Sequence, residues 1–310
     1  MNNSCFDERL SFEASIVLSV WFASSGLAAV IGNAVVLWLF YKNESLRTIS
    51  NRFLASLSVA DLFVGLVINP IWMVTRCLIQ PPSTDIVLNT ILDILWIYST
   101  AATVFNLCCV SVDRFIAIRF PFRYQDIITK KRCYAVIIMV WLISLLLTVP
   151  VIFEDVEKLW PFLTVIIIDI PLALVTLCYV WMYKAARKQA TAIMRVNQRG
   201  RQPAFTIENY KAIKTIGFVL GVFLVSWLPA FGVSVVHHSV AADSCMNVKL
   251  YSVIWPWIEA IALTSSAINP WVYCFRNREF RQALRRSFGW CFSMDVTPRH
   301  GPEPYGNQGL

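Results

Sequence analysis

The stretch NLCCVSVDRFIAIRF, residues 106–120, decides how this chain folds. An apolar run reaches Asp113 and Arg114, an acid and a base side by side, then carries on through Phe115, Ile116, Ala117 and Ile118. A helix in a soluble core would hide neither charge. Arg114 can neutralise Asp113 locally, and its long stem can carry the guanidinium to an aqueous boundary. The stretch reads as the rim of a membrane-spanning helix that continues about one more turn before Pro121.

The surrounding composition agrees. Of 310 residues, 57% are hydrophobic and 15% charged, against about 45–50% and about 25% in globular domains. Runs long enough to span a bilayer, which takes about 20 helical residues, fall at roughly 15–41, 52–76, 86–112, 133–153, 161–183, 212–237 and 250–274. The expected fold is an all-α membrane protein, a seven-transmembrane helix bundle over residues 15–274. Residues 1–14 precede it, a short amphipathic eighth helix follows at 275–290, and 291–310 form a tail. In that eighth helix Phe280, Leu284 and Phe288 recur every four residues among Arg281, Arg285 and Arg286, the pattern of an interfacial helix.

Lys and Arg set the expected orientation. With the N-terminus outside, 23 of the 27 basic residues fall on cytoplasmic segments, leaving only Arg9, Arg76, Lys158 and Lys249 outside. The net charge of +8 is then a basic cytosolic face for anionic lipid and an acidic partner, not a nucleic-acid surface. Residues 1–14 show no signal peptide, so the first span would direct insertion. Asn2 heads an outer glycosylation sequon, and Cys291 after the eighth helix is a palmitoylation candidate.

Acids inside the membrane are expensive, about 2.5–3.5 kcal/mol each on insertion scales. Asp61 lies mid-span; Asp93, Asp169 and Glu259 lie in the outer parts of spans three, five and seven. Each asks for a functional reason.

Landmarks then appear once each, in order: Gly32-Asn33, Leu57 to Asp61, Asp113-Arg114-Phe115, Trp141, Pro171 with Tyr179, Phe223 with Trp227 and Pro229, and Asn269-Pro270-Trp271-Val272-Tyr273. In this series the chain resembles the rhodopsin-like (class A) G-protein-coupled receptors over about residues 15–290. The resemblance implies a plasma-membrane receptor that carries an extracellular ligand signal to a heterotrimeric G protein, with arrestin and a receptor kinase as further partners. Trp227 would floor the ligand pocket, and Phe223 would repack as the sixth helix swings outward about Pro229. Arg114 would turn from Asp113 to the G protein, with Tyr179, Asn269, Pro270 and Tyr273 reorganising alongside. Asp61, with Ser99, Thr103, Ser265 and Asn269 as candidate neighbours, would hold a sodium ion as an allosteric ligand.

The pattern also breaks. The family's disulfide from span three to the second outer loop cannot form: Asn89 stands at its first position, and the loop from Glu154 to Trp160 has no Cys. Cys5, Cys77 and Cys245 remain outside, enough for one bridge, with Cys5–Cys245 the favoured pairing. A short loop without the bridge is similar to melanocortin-like receptors, and lipid-type receptors also lack it. Trp96 stands where amine receptors place their ammonium-binding Asp, and Leu263 where visual pigments place their retinal lysine, so no retinal is expected. Asp93, Asp169 and Glu259 would give the pocket a negative field suited to a cationic small molecule or short peptide, with calcium possible at Asp93. Asn209 replaces a common acid, with Glu208 adjacent, which implies a weak resting clasp on Arg114 and some ligand-free signalling. A lipid-like ligand is the alternative within the family.

No cofactor is required and no enzyme is expected. His237, His238 and His300 are the only histidines, and no nucleophile–base pair stands at a motif spacing. A transporter or channel would suit intramembrane acids and broken helices, but no internal duplication accompanies the seven spans.

Overall fold

A computed structural model describes residues 10–79, 86–154, 156–196, 221–222, 225–233, 235–236, 249–276 and 278–292. The described residues form helices and connecting turns, with no strand among them. Helix α1 is Phe12–Lys42, α2 Ile49–Ile79, α3 Ile86–Arg119 and α4 Lys130–Phe153. Helix α5 covers 156–196, α6 225–233 and α7 249–276; α8 is Arg278–Phe292. Among the described residues, five helices, α1 to α5, are long and apolar enough to cross a membrane. They expose Leu27, Leu66, Leu146, Phe162 and Trp181 outward, which suits lipid rather than water.

Local chemistry sets the boundaries. Ser11, Thr48 and Thr129 are N-caps whose hydroxyls accept the backbone N–H of Ala14, Asn51 and Arg132. Thr48 therefore starts α2 at Ile49 rather than near residue 52. Helix α3 runs on to Arg119, well past residue 112, because the residues after Asp113 still bury one face against α5. Helix α5 begins at 156, with Pro161 inside it rather than at its start.

Among the described residues α2, α5 and α7 contain widened turns, and in each helix one of them stands just before a proline; a second in α2 spans Met73–Ile79. The N–H of Asn69 bonds Val64 O, that of Ile170 bonds Val165 O and that of Trp255 bonds Leu250 O. Pro70, Pro171 and Pro256 follow directly. A proline ring clashes with the carbonyl four residues back, and the ladder adjusts by reaching one residue further.

Close approach ties α1 to its neighbours. A Cβ on Gly32 would fall 2.9 Å from the Cβ and Cγ of Pro270, so only glycine allows α7 this near. Next to it the buried Asn33 amide donates to Ala29 O at 2.9 Å and Ser266 O at 3.1 Å. The Trp21 indole donates to the Thr264 hydroxyl at 2.9 Å, and Trp141 to the Ser56 hydroxyl at 3.1 Å. Helix α8 buries Phe280 and Ala283 and exposes Arg281, Arg285 and Arg286.

Candidate functional site

The side chains singled out in the sequence fall on three levels along the bundle. At the level nearest α8, Asp113 is buried on α3. The Ser50 hydroxyl donates to its Oδ2 and the Tyr124 hydroxyl to its Oδ1, the latter at 2.7 Å. Arg114 Nε stands 3.9 Å from the same carboxylate, beyond hydrogen-bond reach, with side-chain exposures of 28% for Arg114 and 1% for Asp113. The acid is thus fixed by α2 and by the segment after α3, while among the described residues its neighbouring base makes no hydrogen bond to it. Sequence reading missed Ser50 and Tyr124; the signal for Tyr124 was a hydroxyl in the short segment just past the pair.

Burial, then the hydrogen bond to Asp113, raises the pKa of Tyr124 above its ordinary value of 10.0. A raised value means the phenol contributes fully below about pH 10 and loses its contribution only as pH climbs through the folded value. Tyr124 is therefore a donor throughout the physiological range. Beside it, Phe115 packs with Tyr179 against Cys178 and Met182, and Tyr179 stacks on Tyr183 at 6.4 Å between ring centres.

At mid-bundle Asp61 is fully buried, and the Asn269 amide donates to its Oδ2 at 2.8 Å. Ser266, which sequence reading did not include, also faces this carboxylate. Asp61 Oδ1 has no hydrogen-bond partner among the described residues, nor do the buried hydroxyls of Ser58 and Thr103. Ser99 and Ser265 are buried too, and each gives its proton to a carbonyl of its own helix, Trp96 O at 3.1 Å and Ala262 O at 2.7 Å. Their oxygens keep open lone pairs. An orphaned carboxylate oxygen among hydroxyls fits a small hard cation. Among the described residues no group of three or more His, Cys, Asp or Glu side chains gathers for a metal.

At the far level tryptophans fill the bundle. Trp96 stacks on Trp72 at 5.9 Å, meets Trp227 at 6.2 Å and Trp255 at 6.4 Å, and Trp255 meets Trp160 at 5.9 Å. Glu259 is buried beside Trp72 and Trp255. Here the structure pairs one of the three acids singled out in the sequence. Arg76 on α2 clasps Glu259 with both arms, Nε to Oε2 at 3.2 Å and Nη2 to Oε1 at 3.0 Å. Asp93 and Asp169 are half-buried on α3 and α5, and the charge of Glu259 is balanced by Arg76.

Phe223, Asn209, Glu208, Asn2, Cys5 and Cys245 lie outside the described residues, as do the side chains of Tyr273 and Cys291. Cys77 is a buried thiol.

The model of the 7 transmembrane receptor (rhodopsin family) matches residues 32–159 and 156–273. A dopamine receptor 1 of Drosophila melanogaster is 26% identical, over 94% of this chain and 67% of its own length. A histamine H2 receptor of Cavia porcellus is 28% identical, over 88% of this chain and 79% of its own. An octopamine receptor beta-2R of Chilo suppressalis is 27% identical, over 86% and 78%.

Proposed function

The chain belongs to the rhodopsin family of seven-transmembrane receptors and is a G-protein-coupled receptor rather than an enzyme, and we propose that it answers a small cationic ligand from outside the cell. The signal leaves through Arg114 to a heterotrimeric G protein as α6 swings outward about Pro229, a two-state helix shift biased by the ligand. The observation that carries this reading is the loose hold on Arg114. Its neighbour Asp113 spends its hydrogen bonds on Ser50 and Tyr124, which leaves the guanidinium available to a partner at the bundle's end.

The ligand class is supported by relatives named for dopamine, histamine and octopamine. It is also supported by the tryptophan faces and acids at the far level, which suit a cation. On this reading the α8 end is cytosolic, α8 lies in the membrane plane, the N-terminus with Asn2 is outside, and Cys291 is an acylation site. Arrestin and a receptor kinase would share the cytosolic face, and the chain would work at the plasma membrane. A sodium ion would be held by Asp61, Thr103 and Asn269, with Ser99 and Ser265 close at hand. It would supply positive charge to the buried carboxylate and favour the resting state.

The test is ligand-stimulated nucleotide exchange on purified G proteins in membranes containing the chain, using dopamine, histamine and octopamine. Stimulation by at least one amine that Arg114→Ala abolishes is expected. Response to none of them, with surface expression intact, would sink the cationic-ligand reading.

A further inference from the structure

Resting on the reading that the ligand is a cation, we propose that Arg76 is a tethered stand-in for it. Its guanidinium occupies the ammonium subsite at Glu259, and the ligand binds by taking its place. Glu259 is 1% exposed on α7, and Arg76, on α2, is 16% exposed. A carboxylate so deep requires a cation, and Arg76 supplies it through two hydrogen bonds at 3.0 and 3.2 Å. The same guanidinium lies 5.9 Å from the Trp72 ring, within the distance at which a ring face attracts a cation. Trp72 leads into the stack formed with Trp96 and Trp255. Acid, aromatic faces and a seated cation therefore already stand together at the level where α3 presents Trp96.

The exchange is chemically balanced. An incoming ammonium replaces the guanidinium one charge for one, so Glu259 never stands unpaired. The volume Arg76 vacates is that of a charged head group. Arg76 sits near the end of α2, and its long stem can carry the guanidinium to water. Asp93 and Asp169 are less buried than Glu259. A neutral ligand gains nothing from displacing Arg76, so the pair also selects for positive charge. The pair lowers apparent affinity by the fraction of time the subsite is open; a subsite open one part in about 100 costs a hundredfold.

The experiment uses the full chain purified in detergent, with 2-phenylethylamine and tetramethylammonium chloride as probes and the thermal midpoint followed against concentration. Arg76→Gln should lower the half-saturating concentration by about tenfold or more. Because Arg76→Gln leaves a buried acid unpaired and can fail to fold, Arg76→Lys is measured beside it. A lysine holds one carboxylate oxygen rather than both, so the shift should run the same way and be smaller. Glu259→Gln and the double variant Arg76→Gln/Glu259→Gln should lose saturable binding. Unchanged or weaker binding in Arg76→Lys, or wild-type binding in Glu259→Gln, would overturn the proposal. So would the absence of saturable binding in both wild type and Arg76→Lys. G-protein exchange measured on the same variants separates the two readings. Exchange lost everywhere with the binding order kept counts against coupling; exchange kept with the wrong order counts against the stand-in alone.

Discussion

Asp61 offers the most demanding prediction. Its Oδ2 is bonded by Asn269 at 2.8 Å, while its fully buried Oδ1 has no partner among the described residues. An unsatisfied buried polar atom costs about 1–3 kcal/mol, and more when it carries charge. A sodium ion at this carboxylate would return that cost. At about 100 times its Kd the ion would stabilise the folded chain by about 2.7 kcal/mol. At about 2–4 °C per kcal/mol, the thermal midpoint should rise by roughly 5–10 °C. The assay is thermal unfolding of the full chain in detergent, titrating sodium chloride against potassium chloride at constant ionic strength. Asp61→Asn should lose the sodium increment while unfolding in potassium no lower than the wild type, because the uncompensated charge has gone. Thr103→Val should reduce the increment. An Asp61→Asn chain that responds to sodium as the wild type does, or a wild type indifferent to the two salts, would refute the reasoning.

Three further outcomes follow from the packing. Gly32→Val places carbon 2.9 Å from the Pro270 ring, and this overpacking should cost about 1–3 kcal/mol, read as a lower thermal midpoint; Gly221→Ala, with open space around it, should not lower it. Tyr124→Phe removes one of the two hydroxyl donors to Asp113 and should cost about 1.5–3 kcal/mol. Combined with Ser50→Ala it should deviate from additivity by about 0.5 kcal/mol or more, since both donate to one carboxylate; strict additivity would count against the shared anchor. Phe280→Asp puts a charge at a fully buried position and should raise hydrogen exchange across Arg278–Phe292 while leaving α3 protected; unchanged protection in α8 would mean that Phe280 does not hold it.

How much of this was legible in the sequence depends on the range of each interaction. Apolar length located α1, α2, α4 and α7 to within a few residues, because a spanning helix satisfies its own backbone, whereas α5 runs to residue 196, well past the expected 183. The ends were less legible: Thr48 as cap and Pro161 inside α5 depend on capping and packing rather than hydropathy, while the run of α3 past Arg114 was read from residues 115–118 ahead of Pro121. Asp61 and Asn269 were both singled out because each belongs to a local motif, and the structure joins them. Arg76 and Glu259 had no such signal. They are 183 residues apart, and Arg76 read only as one of four outer basic residues. Twelve tryptophans announced an aromatic-rich bundle, but which of them meet at Trp96 is fixed by helix rotation, including the widened turn before Pro256.

Arg114 is proposed to hand the signal to a G protein. The direct measurement is ligand-free nucleotide exchange on purified heterotrimeric G proteins in membranes carrying the wild-type chain or Arg114→Ala at matched expression. Exchange above that of empty membranes is expected for the wild type, and its loss in Arg114→Ala. Equal exchange from the two would contradict it.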